Sequence, residues 1–300
     1  IKQPNICYAG HTDVVPPGNF KDWTVNPFKP IIKNNYLIGR GANDMKSSIA
    51  CFVSAVSKYL KKNPNINGSI SFLITGDEEG AATNGTKKVV EYLKKKGEKI
   101  NFCIVGEPTN PNKLGDMIKI GRRGSLSGTL EVSGTQGHVA YPKLSKNPIN
   151  TLITICKKLK ETKLDDGNKN FQPSNLEFTS IDVGNKAHNV IPGRVKSQFN
   201  IRYNDIHTSR SLTKKINTIV KEICKKTKCK FKIYYEFSGD AFLTKPEKTI
   251  YMAKRIIKKI TKISPKFSTT GGTSDARFIR KISPCLEFGL VNKTMHKVDE

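Results

Sequence analysis

Two imidazoles and three carboxylates stand apart in this 300-residue chain, each where a side chain can be presented to a ligand. They are His11 in GHTDVVP, Asp44 in GRGANDMK, Glu79 in TGDEEG, Glu107 in VGEPT and His296 in FGLVNKTMHK. That donor set suits a pair of zinc ions when one carboxylate bridges them. A further acid, Glu78, lies beside Glu79, where a general base is useful. The chemistry this predicts is hydrolysis assisted by metal ions.

Each position also has a plainer reading. His11 and Asp13 are two apart, so along an extended strand end they point the same way. Asp13 is then placed to orient the imidazole and raise its basicity. A turn histidine with a capping aspartate has the same spacing. Asp44 follows a glycine-rich turn and precedes a helix, which fits a helix N-cap as well as a carboxylate exposed to two cations. Glu78 and Glu79 end an apolar run between Gly76 and Gly80. Packed together they repel unless cations offset them; otherwise they form a solvated acidic loop. Pro108 keeps Glu107 extended. His296 is too distant for spacing to name it a ligand. His138 in GTQGHVAYP is either a loop histidine or an oxyanion-stabilising group. Arg122 and Arg123 in GRRGS and Arg202 at a strand end suit a carboxylate-bearing substrate through bidentate pairing, or surface salt bridges.

The elements that must position these residues alternate. NICYAG, SISFLIT and NFCIVGE read as buried strands, and KPIIKNNYLIGRG as a hairpin around Asn34 and Asn35. Helical periodicity covers Met45 to Lys61, with Ile49, Phe52, Val53, Val56 and Leu60 on one side, and again Asn84 to Lys96. This is an α/β sheet, and His11, Glu78, Glu79 and Glu107 fall at the carboxyl ends of its strands, where open α/β sheets bind ligands. The middle changes rhythm. LSGTLEVSG, a helix from Pro148 to Glu161, LEFTSIDVG, VKSQFNIRY, a helix from Ser209 to Lys226 and KFKIYYEFSG give the β-α-β-β-α-β order of a ferredoxin-like α+β domain. The α/β style then returns with a helix from Glu247 to Ile260, the Gly271-Gly272 loop, a helix from Ser274 to Arg280 and the strand PCLEFGL. The expected organisation is a catalytic α/β domain at 1–123 and 238–300, interrupted by an inserted domain at 124–237.

The net charge is +27, with 52 Lys and Arg against 25 Asp and Glu, and the lysines are spread along the chain. They read as solvated helix faces; steering of an anionic small substrate also fits. No nucleic-acid-binding module accompanies the charge. No apolar stretch approaches the ~20 residues of a membrane helix. The seven cysteines form no C-x-x-C pair and sit mostly in apolar runs, as reduced thiols in a cytosol do. The chain opens inside a strand and stops just past His296, so a fragment of a longer protein is expected.

GHTDVVPPG, GRGANDMKSSIA, TGDEEG, VGEPT, GRRGSLSG, GHVAYP, NVIPG, GGTSDARF and FGLVNKTMHKVDE occur in that order. Together they resemble the co-catalytic zinc aminoacylase and exopeptidase family over nearly the whole chain. The resemblance implies that Asp44 bridges two zinc ions, with His11 and Glu107 completing one site and Glu79 and His296 the other. Cobalt or manganese are possible substitutes. It implies Glu78 as general base, with Asp13 orienting His11 and His138 stabilising the oxyanion as the other catalytic residues. Arg122, Ser125, Asn189, Arg202, Thr273 and Asn292 are implied as substrate contacts. His138 and Tyr141, the latter a further substrate contact, would reach the active site of the other subunit of a homodimer formed through the inserted domain. The later motifs imply a bacterial cytoplasmic enzyme that removes succinate from N-succinyl-LL-2,6-diaminopimelate. A deacylase of acetylornithine type or an aminoacylase is the nearer alternative, and a non-catalytic basic nucleic-acid-binding protein the farther one.

Overall fold

Strand β1 (Asn5–His11) buries nearly every side chain, as a strand inside a covered parallel sheet must. The computed structural model describes residues 1–300. After β1 come a hairpin of β2 (Ile31–Lys33) and β3 (Tyr36–Ile38), then α1 (Ser47–Lys62), β4 (Ser69–Thr75), α2 (Thr86–Lys95), β5 (Phe102–Val105), β6 (Met117–Lys119) and β7 (Gly121–Arg122). The middle contributes β8 (Gly124–Ser133), β9 (Gly137–His138), α3 (Pro148–Glu161), β10 (Asn175–Asp182), β11 (Val190–Ile191), β12 (Arg194–Tyr203), α4 (Ser209–Thr227) and β13 (Lys230–Gly239). Then follow β14 (Phe242–Leu243), α5 (Lys248–Thr261), β15 (Lys266–Ser268), α6 (Ala276–Ile279) and β16 (Cys285–Glu287). No helix is long and apolar enough to cross a membrane.

Two compact units result. One comprises Ile1–Arg122, Leu243–Thr270 and Ser274–Glu300, the other Arg123–Phe242 with Gly271–Thr273. The first holds a six-stranded sheet in the order β15-β6-β16-β5-β1-β4. β4, β1, β5 and β16 run parallel, which brings their carboxyl ends to one edge. Phe102, Ile118, Ile120 and Leu286 from this sheet close a core with Ile250 of α5. Tyr8 stacks on Phe52 of α1 with ring centroids 4.3 Å apart. Ile49, Phe52 and Val56 of that helix are half-buried, whereas Val53 and Leu60 are exposed. The short β6 and β15 escape sequence reading because three residues cannot display an alternation.

The helix expected from Met45 starts later, and for a reason that matters to the site. Gly41 adopts a left-handed φ of 83°, and Ala42–Lys46 form a wide turn in which Asp44 and Met45 leave helical geometry. Regular helix begins at Ser47, and Lys46 precedes it with no side-chain cap. Asp44 is therefore not an N-cap; its carboxylate is free for other partners.

The second unit is a four-stranded antiparallel sheet, order β10-β12-β8-β13, with α3 and α4 as its helices. Asn147 caps α3 ahead of Pro148, and Thr208 and Ser211 form a reciprocal capping box on α4. Leu152, Ile155 and Leu159 of α3 and Leu212, Ile216 and Val220 of α4 join Leu126, Leu130, Phe199 and Ile201 in one core. This is the ferredoxin-like order that the sequence rhythm predicts.

Candidate metal centre

The ends of β1, β4 and β5 deliver the first four groups. β1 finishes at His11, β4 leads through Gly76 to Glu78 and Glu79, and β5 leads through Gly106 to Glu107. At Gly106 a Cβ would lie 1.8 Å from the Tyr8 hydroxyl, so only glycine lets the strand pass into Glu107. Asp44 enters from the wide turn before α1, and His296 from the final segment. His296 has φ 63°, a left-handed conformation that costs a β-carbon-bearing residue roughly 1–2 kcal/mol and that its surroundings must hold.

Asp44 stands between the two imidazoles. Its Oδ1 lies 3.3 Å from His11 Nε2 and its Oδ2 lies 3.2 Å from His296 Nε2. Glu107 Oε1 is 3.8 Å from His11 Nε2, and Glu79 Oε1 is 2.8 Å from His296 Nε2. On the far side of the His11 ring, Nδ1 lies 3.0 Å from the Asp13 carbonyl and 3.4 Å from its Oδ1. When Nδ1 of a neutral ring donates to that carbonyl, Nε2 turns its lone pair towards Asp44 and Glu107. Asp13 Oδ2 in turn accepts from the Glu79 N–H at 3.0 Å, tying the ends of β1 and β4 together.

Like charges crowd this edge. Burial raises the Glu107 carboxyl well above the usual carboxylate range, and Glu78 and Asp44 add to that. Burial likewise raises Glu78 to about 8, with Asp275 pushing the same way and His11 opposing. Glu79 is raised by burial and by Asp44. Burial disfavours the His11 imidazolium, but Asp44, Glu107 and Glu78 outweigh it and lift the group to about 10. Protons relieve such crowding, and so do cations.

Divalent ions fit these residues. His11 Nε2, Asp44 Oδ1 and Glu107 Oε1 are buried with no hydrogen-bond partner, which is costly unless a ligand satisfies them. Donor atoms of His11, Asp44 and Glu79 lie within 4.8 Å of one another, and so do those of His11, Glu78 and Glu107. Mixed imidazole and carboxylate donors suit zinc, with cobalt and manganese as related choices.

Arg122, which the sequence leaves between a substrate contact and a surface salt bridge, is buried and paired through Nε with Glu287, at 3.0 Å to Oε1 and 2.8 Å to Oε2. Ser274 Oγ donates to the same carboxylate at 2.6 Å. Burial lowers the nearby Lys119 ammonium to about 8, and Arg122 adds to that. Asn292 is half-buried and its N–H donates to the Asn110 carbonyl. The remaining expected contacts belong to the other unit. There Ser125 on β8 faces Arg202 on β12 in register, and its Oγ accepts from Asn200. Arg202 Nη1 is buried without a partner, and burial and Arg123 lower its basicity. His138 and Tyr141 are exposed with rings 5.9 Å apart, and the Asn189 carbonyl accepts from the Val139 N–H. Thr273 is half-buried.

Sequence reading missed Glu287 and Asp275. Glu287 ends the apolar strand PCLE as Glu107 ends NFCIVGE, so the strand-end signal was present. Asp275 lies in GGTSDARF and is buried beside the cluster.

The profile of peptidase family M20/M25/M40 matches residues 7–300. The chain belongs to this family. A succinyl-diaminopimelate desuccinylase of Pelagibacter ubique is 67% identical over 298 residues, which cover 99% of this chain and 78% of that protein. The protein of that name from Parvibaculum lavamentivorans is 50% identical, with 99% and 75% covered. Among solved structures, a Staphylococcus aureus tripeptidase superposes with a TM-score of 0.80 at 20% identity, covering all of this chain and 76% of its own. An M20 family metallo-carboxypeptidase from Sulfolobus solfataricus gives 0.80 at 18% identity, with 100% and 80% covered. The fold is thus the M20 fold, a mixed α/β sheet with a second unit.

Proposed function

We propose that this M20 chain hydrolyses the amide of N-succinyl-LL-2,6-diaminopimelate to succinate and LL-2,6-diaminopimelate. The observation that carries the reading is the placement of Asp44, with one oxygen towards each of two imidazoles, each imidazole beside a further carboxylate. His11, Glu107 and Asp44 would hold one zinc ion, and Glu79, His296 and Asp44 the second. Bound there, the ions supply Lewis acidity and lower the pKa of a water molecule.

The chain's own groups do the rest. Glu78, half-buried and adjacent to Glu79, takes a proton from the attacking water on its carboxylate and returns it to the leaving amine. Asp13 holds His11 in the tautomer that keeps Nε2 free. Burial around Glu107 excludes bulk water and strengthens these interactions. Arg202, whose Nη1 lacks a partner, suits a substrate carboxylate, with Ser125 opposite it; Arg122, Asn189, Thr273 and Asn292 are proposed to complete substrate binding. His138, with Tyr141 beside it, is proposed to stabilise the oxyanion from the partner subunit of a homodimer. Outer strand β10, with exposed Ile181, and α3, with exposed Ile153, support the second unit as the dimerising one. Seven unpaired cysteines support a reducing, cytoplasmic setting.

The test is a substrate panel. Succinate release from N-succinyl-LL-2,6-diaminopimelate should exceed acetate release from N-acetylornithine by orders of magnitude. Equal or reversed rates would refute the assignment.

A further inference from the structure

The turn that carries Asp44 is fastened to the segment that carries His296 by groups outside the cluster itself. The Asp44 N–H donates to Glu300 Oε1 at 2.7 Å, and the Asn43 N–H donates to the same oxygen at 3.1 Å. Glu300 Oε2 is paired with the Arg40 guanidinium, and both side chains are buried. Arg40 also donates to the Lys297 carbonyl at 3.2 Å and lies over the Trp23 ring, 5.0 Å from its centroid. Asn43 Nδ2 donates to the Val291 carbonyl at 2.7 Å and to Thr294 Oγ1 at 2.8 Å. The anchors at 291, 294, 297 and 300 bracket His296.

We propose that Glu300 is a positioning residue: its carboxylate, neutralised by Arg40, locks the Asp44 main chain to the His296 segment and thereby assembles the Glu79–His296 cation subsite. The inference rests on the metal-ion reading above. The two subsites differ in what holds them. His11 and Glu107 sit at the ends of adjacent parallel strands, β1 and β5, and the sheet keeps them in place. His296 belongs to an irregular, largely exposed stretch with a left-handed backbone at the histidine itself. Such a ligand must be ordered when an ion binds unless something has ordered it beforehand. Glu300 does so through two main-chain N–H groups. Because Arg40 cancels its charge, it adds little negative potential at Asp44. Loss of the strap should therefore weaken one ion more than the other, whereas general destabilisation would weaken both.

The test is stepwise cobalt(II) binding to the chain, followed by visible absorption, with ion content measured at saturation. Three variants accompany the unsubstituted chain. Arg40→Met/Glu300→Gln removes both buried charges but keeps a carbonyl oxygen for the two N–H groups. Arg40→Met/Glu300→Met removes the acceptor as well. Asn43→Ala removes only the side-chain bonds to Val291 and Thr294 and leaves both main-chain N–H bonds to Glu300 in place. The glutamine variant should bind both ions within about threefold of the unsubstituted chain. The methionine variant, folded by circular dichroism, should keep its first ion and bind the second about 10–100-fold more weakly. Asn43→Ala should weaken the second ion less than the methionine variant does, and if the methionine variant does not fold, Arg40→Met/Glu300→Ala takes its place with the same expected result. Equal loss of both ions, or two unchanged ions, in the variant that lacks the Glu300 acceptor would overturn the role of Glu300. If the unsubstituted chain takes up fewer than two ions, the two-ion reading falls, and this inference with it.

Discussion

Replacing Arg122 with methionine should unfold this protein more readily than almost any surface change, and the pairing shows by how much. Arg122 and Glu287 are both buried, and Glu287 receives the guanidinium Nε on both oxygens. Arg122→Met leaves the Glu287 carboxylate with Ser274 and the nearby Lys119 but without the guanidinium that pairs with it directly, close to the crowded acids of the site. Breaking a buried pair from one side costs about 3–5 kcal/mol. Set against a typical stability of about 5–15 kcal/mol, that is a large share. For a chain of 300 residues, at about 2.1 cal/mol/K of unfolding entropy per residue, it corresponds to a fall in melting temperature of about 5–8 °C. Removing both charges is different, because a desolvated pair is often neutral against an apolar replacement. Arg122→Met/Glu287→Met should therefore recover most of the loss. Scanning calorimetry on the three proteins, with chelator present throughout, measures this. A single variant that melts within 2 °C of the unsubstituted chain would refute the reasoning, and so would a double variant no more stable than the single one. The double variant also separates two roles of Arg122. If it folds well but its KM rises at least tenfold with little change in kcat, the arginine grips substrate as well as Glu287.

Glu78→Gln should keep the fold and the bound metal while turnover falls by about 10²-fold or more, read by succinate release beside elemental analysis; a wild-type rate would remove Glu78 as the base. His296→Ala should lower the saturating ion content from two per chain towards one, and unchanged content would remove His296 as a ligand. Lys119 supplies a pH prediction. Its ammonium is lowered in the fold to about 8 from 10.5, so between those values the unfolded chain binds more protons and stability contributed by this residue rises with pH. Lys119→Met should accordingly be more stable than the unsubstituted chain below pH 8, with the difference shrinking up to pH 10.5. Chemical denaturation at pH 7, 9 and 10.5 checks it, and a constant difference would contradict it.

The parts of the site legible in sequence are those set by short-range rules. Apolar runs that end in a glycine and an acid, TGDEEG and VGEPT, mark strand ends, and parallel strands then bring those ends together whatever their separation in sequence. The β-α-β-β-α-β rhythm of the middle was legible because each of its elements is long enough to show a period. Asp44 was ambiguous because a glycine-rich turn before a helix looks the same whether the acid caps the helix or avoids it; the left-handed Gly41 and the wide turn decide that. What lay beyond reach were pairings between distant residues. Arg122 meets Glu287 across 165 positions, and Arg40 meets Glu300 across 260. No periodicity records such partners. The His296 contacts are of the same kind, since only the folded chain brings its imidazole 2.8 Å from Glu79.

The central claim is that Asp44 spans two cations, and anomalous diffraction at the zinc edge from crystals grown with zinc tests it most directly. The account predicts two peaks roughly 3.5–4 Å apart, one beside His11 and Glu107 and one beside Glu79 and His296, with a different Asp44 oxygen facing each. A single peak, or two peaks of which one is out of reach of Asp44, would contradict it.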